Sequence, residues 1–322
     1  MKILIYSYND KIGDGLQKIT FIQQIKKFYP NSTITYTTTN TTTLKKYLNP
    51  LVSGLVDEFI EHNEIQSSFI KLFKSNSIFE NKYYDLIIDL QKVVLRTLNL
   101  KKIKHGKFIS ATANFLFSNI KNNLNLSFKK IYIEQFYFNL LCLIQNKKNI
   151  QIPNIELPKN YDIEMMIEFS DKNIAIAPGA GDEDRNWGFE NYFEIALFLR
   201  SKGFNVFFFL GPQEKKYLNK CLENNFICPE WENDELISDN ISFVMSLAKK
   251  MNLLLCNDAG TSWMFQFAGV KTLKIFGLTD AKKFSRPGFS ESISIQDYGY
   301  NSIMDFPVKE YEKRLFNFLE KL

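Results

Sequence analysis

Two consecutive series of short apolar runs, each followed by a loop and a segment of helical period, restrict this chain to an alternating α/β architecture. The first series opens with Lys2-Ile-Leu-Ile-Tyr-Ser-Tyr, a buried-strand run, then a loop from Asn9 to Gly15 and apolar residues at Leu16, Ile19, Ile22, Ile25 and Phe28. Pro30 stops that helix, and a β-branched strand resumes over Thr33 to Thr37. The threonine-rich stretch from Thr33 to Thr43 reads as strand plus turn, because Ile34 and Tyr36 alternate with polar residues. Further strands are expected at Val56 to Ile60, Asp85 to Asp89 and Lys107 to Ser110.

Periodicity breaks between Asn146 and Asp171, where Lys147-Lys148-Asn149, Pro153 and Pro158 interrupt it, and this interval reads as a linker. The second series has strands at Asn173 to Ala177, Asn205 to Leu210, Asn252 to Cys256 and Thr272 to Phe276. Helices are expected at Phe189 to Lys202, Gln213 to Glu223, Ile241 to Lys250, Gly260 to Ala268 and, after Pro307, Val308 to Leu322. A chain of 322 residues fits two domains of roughly 150 residues each. The expected organisation is two Rossmann-like domains over residues 1–155 and 165–305, with a terminal helix over 306–322 packing back across the junction.

Charge and composition remove several functional classes. The 40 basic and 35 acidic residues balance too closely for the dense basic footprint of a nucleic-acid binder. Cys142, Cys221, Cys228 and Cys256 show no CxxC spacing and read as reduced core residues. With His62 and His105 as the sole histidines, a zinc site lacks raw material, so no metal is expected. The amino terminus lacks the long apolar region and cleavage site of a signal peptide, which points to the cytoplasm. The apolar stretch from Phe136 to Ile144 falls short of the ~20 residues that span a bilayer, leaving peripheral membrane contact as the most to be expected. Core packing explains the aromatic residues between Phe128 and Ile144 better than a membrane face does.

In open α/β sheets ligands sit beyond the carboxyl ends of the strands, so the loops leaving strands carry the functional candidates. Ile12-Gly13-Asp14-Gly15 places Asp14 at a helix start with Gln17 three residues on; Asp14 reads equally as an N-cap and as a general base. In Ala177-Pro178-Gly179-Ala180-Gly181 the glycines allow backbone amides to approach an anion, and Arg185 follows as a candidate cation. The Lys-Ser/Thr of a P-loop and the third glycine of a dinucleotide fingerprint are missing. At Asn257-Asp258-Ala259-Gly260-Thr261 a buried strand ends and small polar residues open a helix, a natural diphosphate site, with Asp258 either capping the helix or accepting from a ligand. Gly277-Leu278-Thr279-Asp280 again leaves a strand with glycine and a hydroxyl. Lys92, Arg96, Lys101, Lys102, Lys104 and Lys107 read either as a solvated basic surface or as contacts to a phosphorylated or acidic ligand.

The order and spacing of these loops resemble the ADP-heptose:lipopolysaccharide heptosyltransferases, glycosyltransferase family 9. The resemblance rests on Ile12-Gly13-Asp14, Tyr84-Asp85 through Asp89-Leu90-Gln91, Ala177-Pro178-Gly179-Ala180, Arg185-Asn186-Trp187, Asn257-Asp258-Ala259-Gly260 and Phe276-Gly277-Leu278-Thr279. It implies a GT-B fold, acceptor on the amino-terminal domain, nucleotide-sugar on the carboxyl-terminal domain, and metal-independent transfer with inversion. No cofactor is implied beyond the nucleotide-sugar substrate, ADP-heptose or a related donor, and the implied acceptor is a glycolipid or other surface glycan at the cytoplasmic face of the inner membrane. By position, Asp14 would be the base and Arg185 the cation on the leaving group. Pro178, Gly179, Ala180, Glu214, Asp258, Ala259, Gly260, Thr261 and Thr279 would hold the donor, and Gly13, Gln91, Lys101 and Lys102 the acceptor. Two positions depart from the family pattern: Arg185-Asn186-Trp187-Gly188 stands for a Lys-Arg-Trp-Pro-like run, and Trp263 for a histidine. Another nucleotide or another sugar would fit the same frame. A catalytically silent nucleotide-sugar-binding or scaffold protein is the alternative; retention of both Asp14 and Asp258 favours the enzyme. A Rossmann oxidoreductase is disfavoured by the absence of GxGxxG after either opening strand.

Overall fold

The computed structural model describes residues 1–70, 77–155, 167–232 and 241–320. Part of the expected linker, residues 156–166, and the last two residues assigned to the terminal helix lie outside the described residues. The chain divides into two compact units, Met1–Pro153 and Asn154–Leu322.

The first unit carries five parallel strands, β1 (Lys2–Ser7), β2 (Thr33–Thr38), β3 (Glu58–Ile60), β4 (Tyr83–Asp89) and β5 (Lys104–Ser110), in the order β3-β2-β1-β4-β5. Its helices are α1 (Ile12–Phe28), α2 (Asn49–Val52), α3 (Val94–Lys101) and α4 (Ile133–Gln145). The chain moves outward from β1 to β3, then returns to place β4 on the other side of β1. The switch point therefore falls between β1 and β4. Parallel strands must be covered on both faces, and α4 joins α1 in doing so. Phe21 meets Tyr137 and Phe138 at ring separations of 6.0 and 6.5 Å, and Thr20 donates to Glu134 at 3.0 Å. The aromatic stripe of this segment is thus core.

The second unit repeats the plan with β6 (Asn173–Ala177), β7 (Asn205–Phe208), β8 (Leu253–Asn257), β9 (Lys271–Phe276) and β10 (Ser290–Ser294), in the order β10-β9-β8-β6-β7. Its helices are α5 (Phe189–Ser201), α6 (Leu218–Glu223), α7 (Pro229–Glu232), α8 (Ile241–Ala248), α9 (Gly260–Phe267), α10 (Ala281–Phe284) and α11 (Val308–Leu319). Here the switch point lies between β6 and β8. Helix α11 packs on α5 and β10 within this unit. Its Tyr311 stacks on Trp187 at 4.5 Å, and the Trp187 indole N–H donates to the Phe306 carbonyl at 2.8 Å. All four cysteines are buried, and no disulfide joins them. No helix among the described residues is long and apolar enough to cross a membrane.

Several boundaries differ from the sequence reading for identifiable reasons. Helix α1 begins at Ile12, so Asp14 is the third helical residue and not the N-cap; that place belongs to Lys11, whose N–H donates to the Asp14 carboxylate at 3.3 Å. Strand β5 begins at Lys104 because Lys104 and His105 pair with Tyr83 and Tyr84, a tertiary gain that local composition does not show. Helix α3 is not among the helices the sequence predicts: its basic residues obscure a short period carried by Thr97 and Leu100. Strand β10, Ser-Glu-Ser-Ile-Ser, has a single large apolar residue and forms by pairing with β9 at the sheet edge. The helix expected from Gln213 opens as a 3-10 turn, Lys215–Tyr217, before α6.

Trp187 is fully buried between α5 and α11. Replacing it with alanine should cost about 3–5 kcal/mol, and urea denaturation of wild type and Trp187→Ala measures the difference.

Candidate functional site

In each unit most of the functional candidates lie at the carboxyl ends of the strands, around the switch point. In the second unit three loops meet there, and one asparagine joins two of them. Asn257, at the end of β8 and fully buried, accepts from the Trp187 N–H at 3.2 Å and from the Tyr192 hydroxyl at 3.1 Å. Its amide donates to the Pro178 carbonyl at 2.7 Å. The Pro178-Gly179-Ala180 loop after β6 and the segment entering α5 are thereby fixed to the end of β8. The sequence marked Asn257 as part of a motif without giving it a task.

Asp258 does not cap α9; the N-cap is Ala259, in an extended conformation with no side-chain cap. The amides of Gly260 and Thr261 in the first turn are therefore not taken by a capping side chain, as an anion site requires. Asp258 turns instead toward Lys274, whose ammonium lies 3.8 Å away and donates to the Phe284 carbonyl at 3.0 Å. Lys274 is fully buried in β9, 4.6 Å over the Trp263 ring. Burial pushes its pKa down, and the charges of Asp258 and Cys256 oppose that shift. This pairing compensates an acid that would otherwise repel an anion at the helix end. Trp263, at the position of the family histidine, is core beneath this lysine. The sequence signal for Lys274 was a lysine inside an apolar strand.

Glu214 sits beyond β7 with its carboxylate against two glycines. A Cβ on Gly179 would come within 2.8 Å of it, and so would one on Gly211. Burial raises the Glu214 carboxyl above the usual carboxylate range. Nearby Glu230, in α7, is raised to about 8 by burial and by the Glu214 charge, and its Oε2 has no hydrogen-bond partner among the described residues. No sequence pattern announced it. Arg185 ends a 3-10 turn, Glu183–Arg185, and pairs with Asp182 at 2.8 Å, both side chains well exposed. An exposed pair of this kind is worth little, which leaves Arg185 able to turn to another anion. Gly277, before Thr279, lies where a Cβ would be 2.6 Å from the Asp184 carbonyl, so the loops after β6 and β9 touch through a glycine. Pro178, Gly179, Ala180, Arg185, Glu214, Asp258, Ala259, Gly260, Thr261 and Thr279 thus all lie at the carboxyl ends of the second sheet.

In the first unit Gly13 and Asp14 open α1 at the end of β1, and Gln91 follows β4. Beneath them lies a buried ion pair. Asp10 accepts from Lys18 Nζ at 2.5 Å, Tyr36 at 2.7 Å, Ser7 at 2.8 Å and Thr42 at 3.0 Å. Burial opposes the charge on Asp10, but Lys18 and these donors outweigh it and hold the carboxyl below the usual range. Lys18 also donates to the Asp14 carbonyl at 3.0 Å, so the ion pair fixes the turn that carries Asp14. Asp89 anchors the second loop. It is fully buried and accepts from Thr97 at 2.6 Å, Ser110 at 2.8 Å and the Gln91 N–H at 2.9 Å. Burial prevails over these donors and raises its carboxyl to about 6. Lys101 and Lys102, by contrast, are exposed at the far end of α3, where the chain enters β5 at the amino-end pole of the sheet. The structure does not bring them to Asp14 and Gln91.

Two parallel sheets with ligand-type loops at both switch points define a protein built from Rossmann-type halves. The model of glycosyltransferase family 9 (heptosyltransferase) matches residues 76–301. The chain belongs to that family and is a glycosyltransferase. Over 275 residues it is 21% identical to the lipopolysaccharide core heptosyltransferase OpsX of Haemophilus influenzae, covering 82% of this chain and 76% of the relative. Among solved structures it resembles a family 9 glycosyltransferase of Veillonella parvula, with TM-score 0.67 and 16% identity over 100% of this chain and 97% of the other. It also resembles E. coli heptosyltransferase WaaC, solved with ADP-2-deoxy-2-fluoro heptose, with TM-score 0.62 and 14% identity over 98% and 99%. These structural likenesses confirm the expected GT-B class of fold.

Two outcomes check this account of the first unit. Lys18→Met, which leaves Asp10 buried without its cation, should cost about 3–5 kcal/mol, and adding Asp10→Asn should recover a large part of it in chemical denaturation. For Asp89, a raised carboxyl contributes stability that is fully present below its unfolded pKa of about 3.9 and is lost as pH rises through about 6. The stability of wild type relative to Asp89→Asn should therefore fall by about 2–3 kcal/mol from about pH 4 to about pH 7.

Proposed function

We propose that the protein transfers a heptose or similar sugar from a nucleotide-sugar, with ADP the favoured carrier, to a lipopolysaccharide or related surface-glycan acceptor. The observation that carries this reading is the α9 amino terminus in a family 9 chain: its capping position is held by Ala259, its nearest acid is paired with Lys274, and the Pro178 loop is tied alongside. The diphosphate sits on the amides of Gly260 and Thr261, with Asp258 and Ala259 shaping the turn and Thr279 adding a hydroxyl. Glu214, behind Gly179 and Gly211, accepts from the ribose. Names of relatives support the sugar and the acceptor: one is a lipopolysaccharide core heptosyltransferase, and another was solved with an ADP-linked fluoro-heptose.

In this mechanism the acceptor hydroxyl loses its proton to Asp14 as its oxygen attacks the anomeric carbon. The bond from that carbon to the distal phosphate oxygen breaks, and the nucleoside diphosphate leaves with the electron pair, so the configuration inverts. Amides at the helix terminus and Arg185 meet the charge on the leaving group, without a metal ion. Asp14 needs only modest basicity, since the proton is lost late once the sugar carbon has oxocarbenium character. Gly13 and Gln91 flank the acceptor hydroxyl. The protein works at the cytoplasmic face of the inner membrane, where such acceptors are assembled.

Thermal-shift titration with ADP, UDP, GDP and CMP should show selective stabilisation by one nucleoside diphosphate, lost in Asp258→Ala; no shift with any of them contradicts the reading. Asp14→Asn should retain that stabilisation while transfer falls about 10²–10⁴-fold.

A further inference from the structure

The first unit contains six basic residues between Lys92 and Lys107 that the sequence could not rank, and the structure separates them. Lys101, Lys102 and Lys104 are exposed toward the amino ends of the strands. Lys107 is exposed within β5. Lys92 donates to the Phe128 carbonyl at 2.5 Å and lies 4.3 Å over the Phe136 ring. Arg96 differs from all of these. It is in the first turn of α3, just beyond the carboxyl end of β4, and its guanidinium lies 3.5 Å over the ring of Tyr8, the residue that leaves β1. Strands β1 and β4 are the two that flank the switch point of this sheet.

The stack holds the guanidinium plane while leaving its edge open. No carboxylate or carbonyl among the described residues accepts from Arg96, and its Nε is buried without a partner. The acid that shares its field, Asp89, has its oxygens engaged by Thr97, Ser110 and the Gln91 N–H. A guanidinium fixed by stacking at a ligand crevice, partly desolvated and with unspent donors, matches the two oxygens of a carboxylate or phosphate.

We propose that Arg96 and Tyr8 form an oxyanion subsite, which binds a carboxylate or phosphate group carried by the acceptor. The inference rests on the reading that the first unit takes the acceptor. It makes Arg96, and not Lys101 or Lys102, the residue that selects an acidic acceptor, and it brings that acidic group to the crevice where Asp14 opens α1.

The test is calorimetric titration of the full chain with glucose 6-phosphate, glucuronate and glucose, on wild type, Arg96→Gln, Arg96→Lys and Lys101→Gln. Wild type should bind at least one anionic sugar about tenfold more tightly than glucose, and the tighter of the two anions identifies phosphate or carboxylate as the group recognised. Arg96→Gln should abolish the preference, and Lys101→Gln should preserve it. Arg96→Lys keeps the charge but loses the planar fork, and should lower the preference several-fold, which supplies the answer if Arg96→Gln is poorly folded. Equal affinity for all three sugars, no binding of either anion, or a preference that survives both Arg96 substitutions overturns the proposal. ADP stabilisation measured on the same samples keeps the two readings apart. Its absence in wild type counts against the donor assignment alone, and its retention in Arg96→Gln shows that the substitution acted on the first unit.

Discussion

A lysine ammonium buried against an aspartate lies under the functional end of each sheet. In the first unit it is Lys18 and Asp10, in the second Lys274 and Asp258. Burying two charges costs several kcal/mol per ion unless attraction and hydrogen bonds offset it. The two pairs meet that cost in different ways. Asp10 gathers donors from β1, α1, β2 and the turn after it, so the ion pair is also a junction of four chain segments. Lys274 has a carbonyl, an aromatic face and a more distant carboxylate, and its depressed pKa records a weaker balance. In both cases the lysine does not reach the ligand crevice itself. It allows the loop above to hold a carboxylate, Asp14 or Asp258, in a fixed place.

The loops above these pairs are specialised differently because the strands end differently. In the second unit the strands leave through glycines and a serine- and threonine-bearing helix start, so backbone amides face the crevice and suit a diphosphate. In the first unit they leave through Tyr8, Asp14, Gln91 and Arg96, which are side chains suited to hydroxyl and acid groups. Asn257 and Asp89 occupy corresponding places at the ends of β8 and β4. Each is fully buried and uses its side chain to tie neighbouring loops together. The proposed division between phosphate recognition and sugar recognition rests on these residues at the strand ends.

Much of this was legible in the sequence because hydrophobic period and strand-end glycines act locally. Nine of the ten strands, the five longer helices of the second unit and the donor loops could be placed from such signals, whereas the four-residue α7 and α10 could not. What escaped was decided by tertiary pairing. Strand β10 exists because β9 offers an edge, and α3 is a helix whose apolar side is too short to stand out against Arg96, Lys101 and the basic residues around it. Asp14 and Asp258 each read either as a helix cap or as a functional acid, since the sequence shows a small acid near a helix start but not which residue turns first; the caps are Lys11 and Ala259. The buried charge of Lys18 and Glu230 had no motif to mark it, and Lys274 showed only as a lysine inside an apolar strand, because which residues meet at the strand ends is set by the tertiary fold. Arg96 could not be separated from its neighbouring lysines until Tyr8 was seen beneath it.

A crystal structure of the full chain grown with ADP tests the central claim most directly. The diphosphate should lie within hydrogen-bond distance of the Gly260 and Thr261 amides, with a ribose hydroxyl on the Glu214 carboxylate. A nucleotide bound elsewhere, or a diphosphate held away from the start of α9, would contradict it.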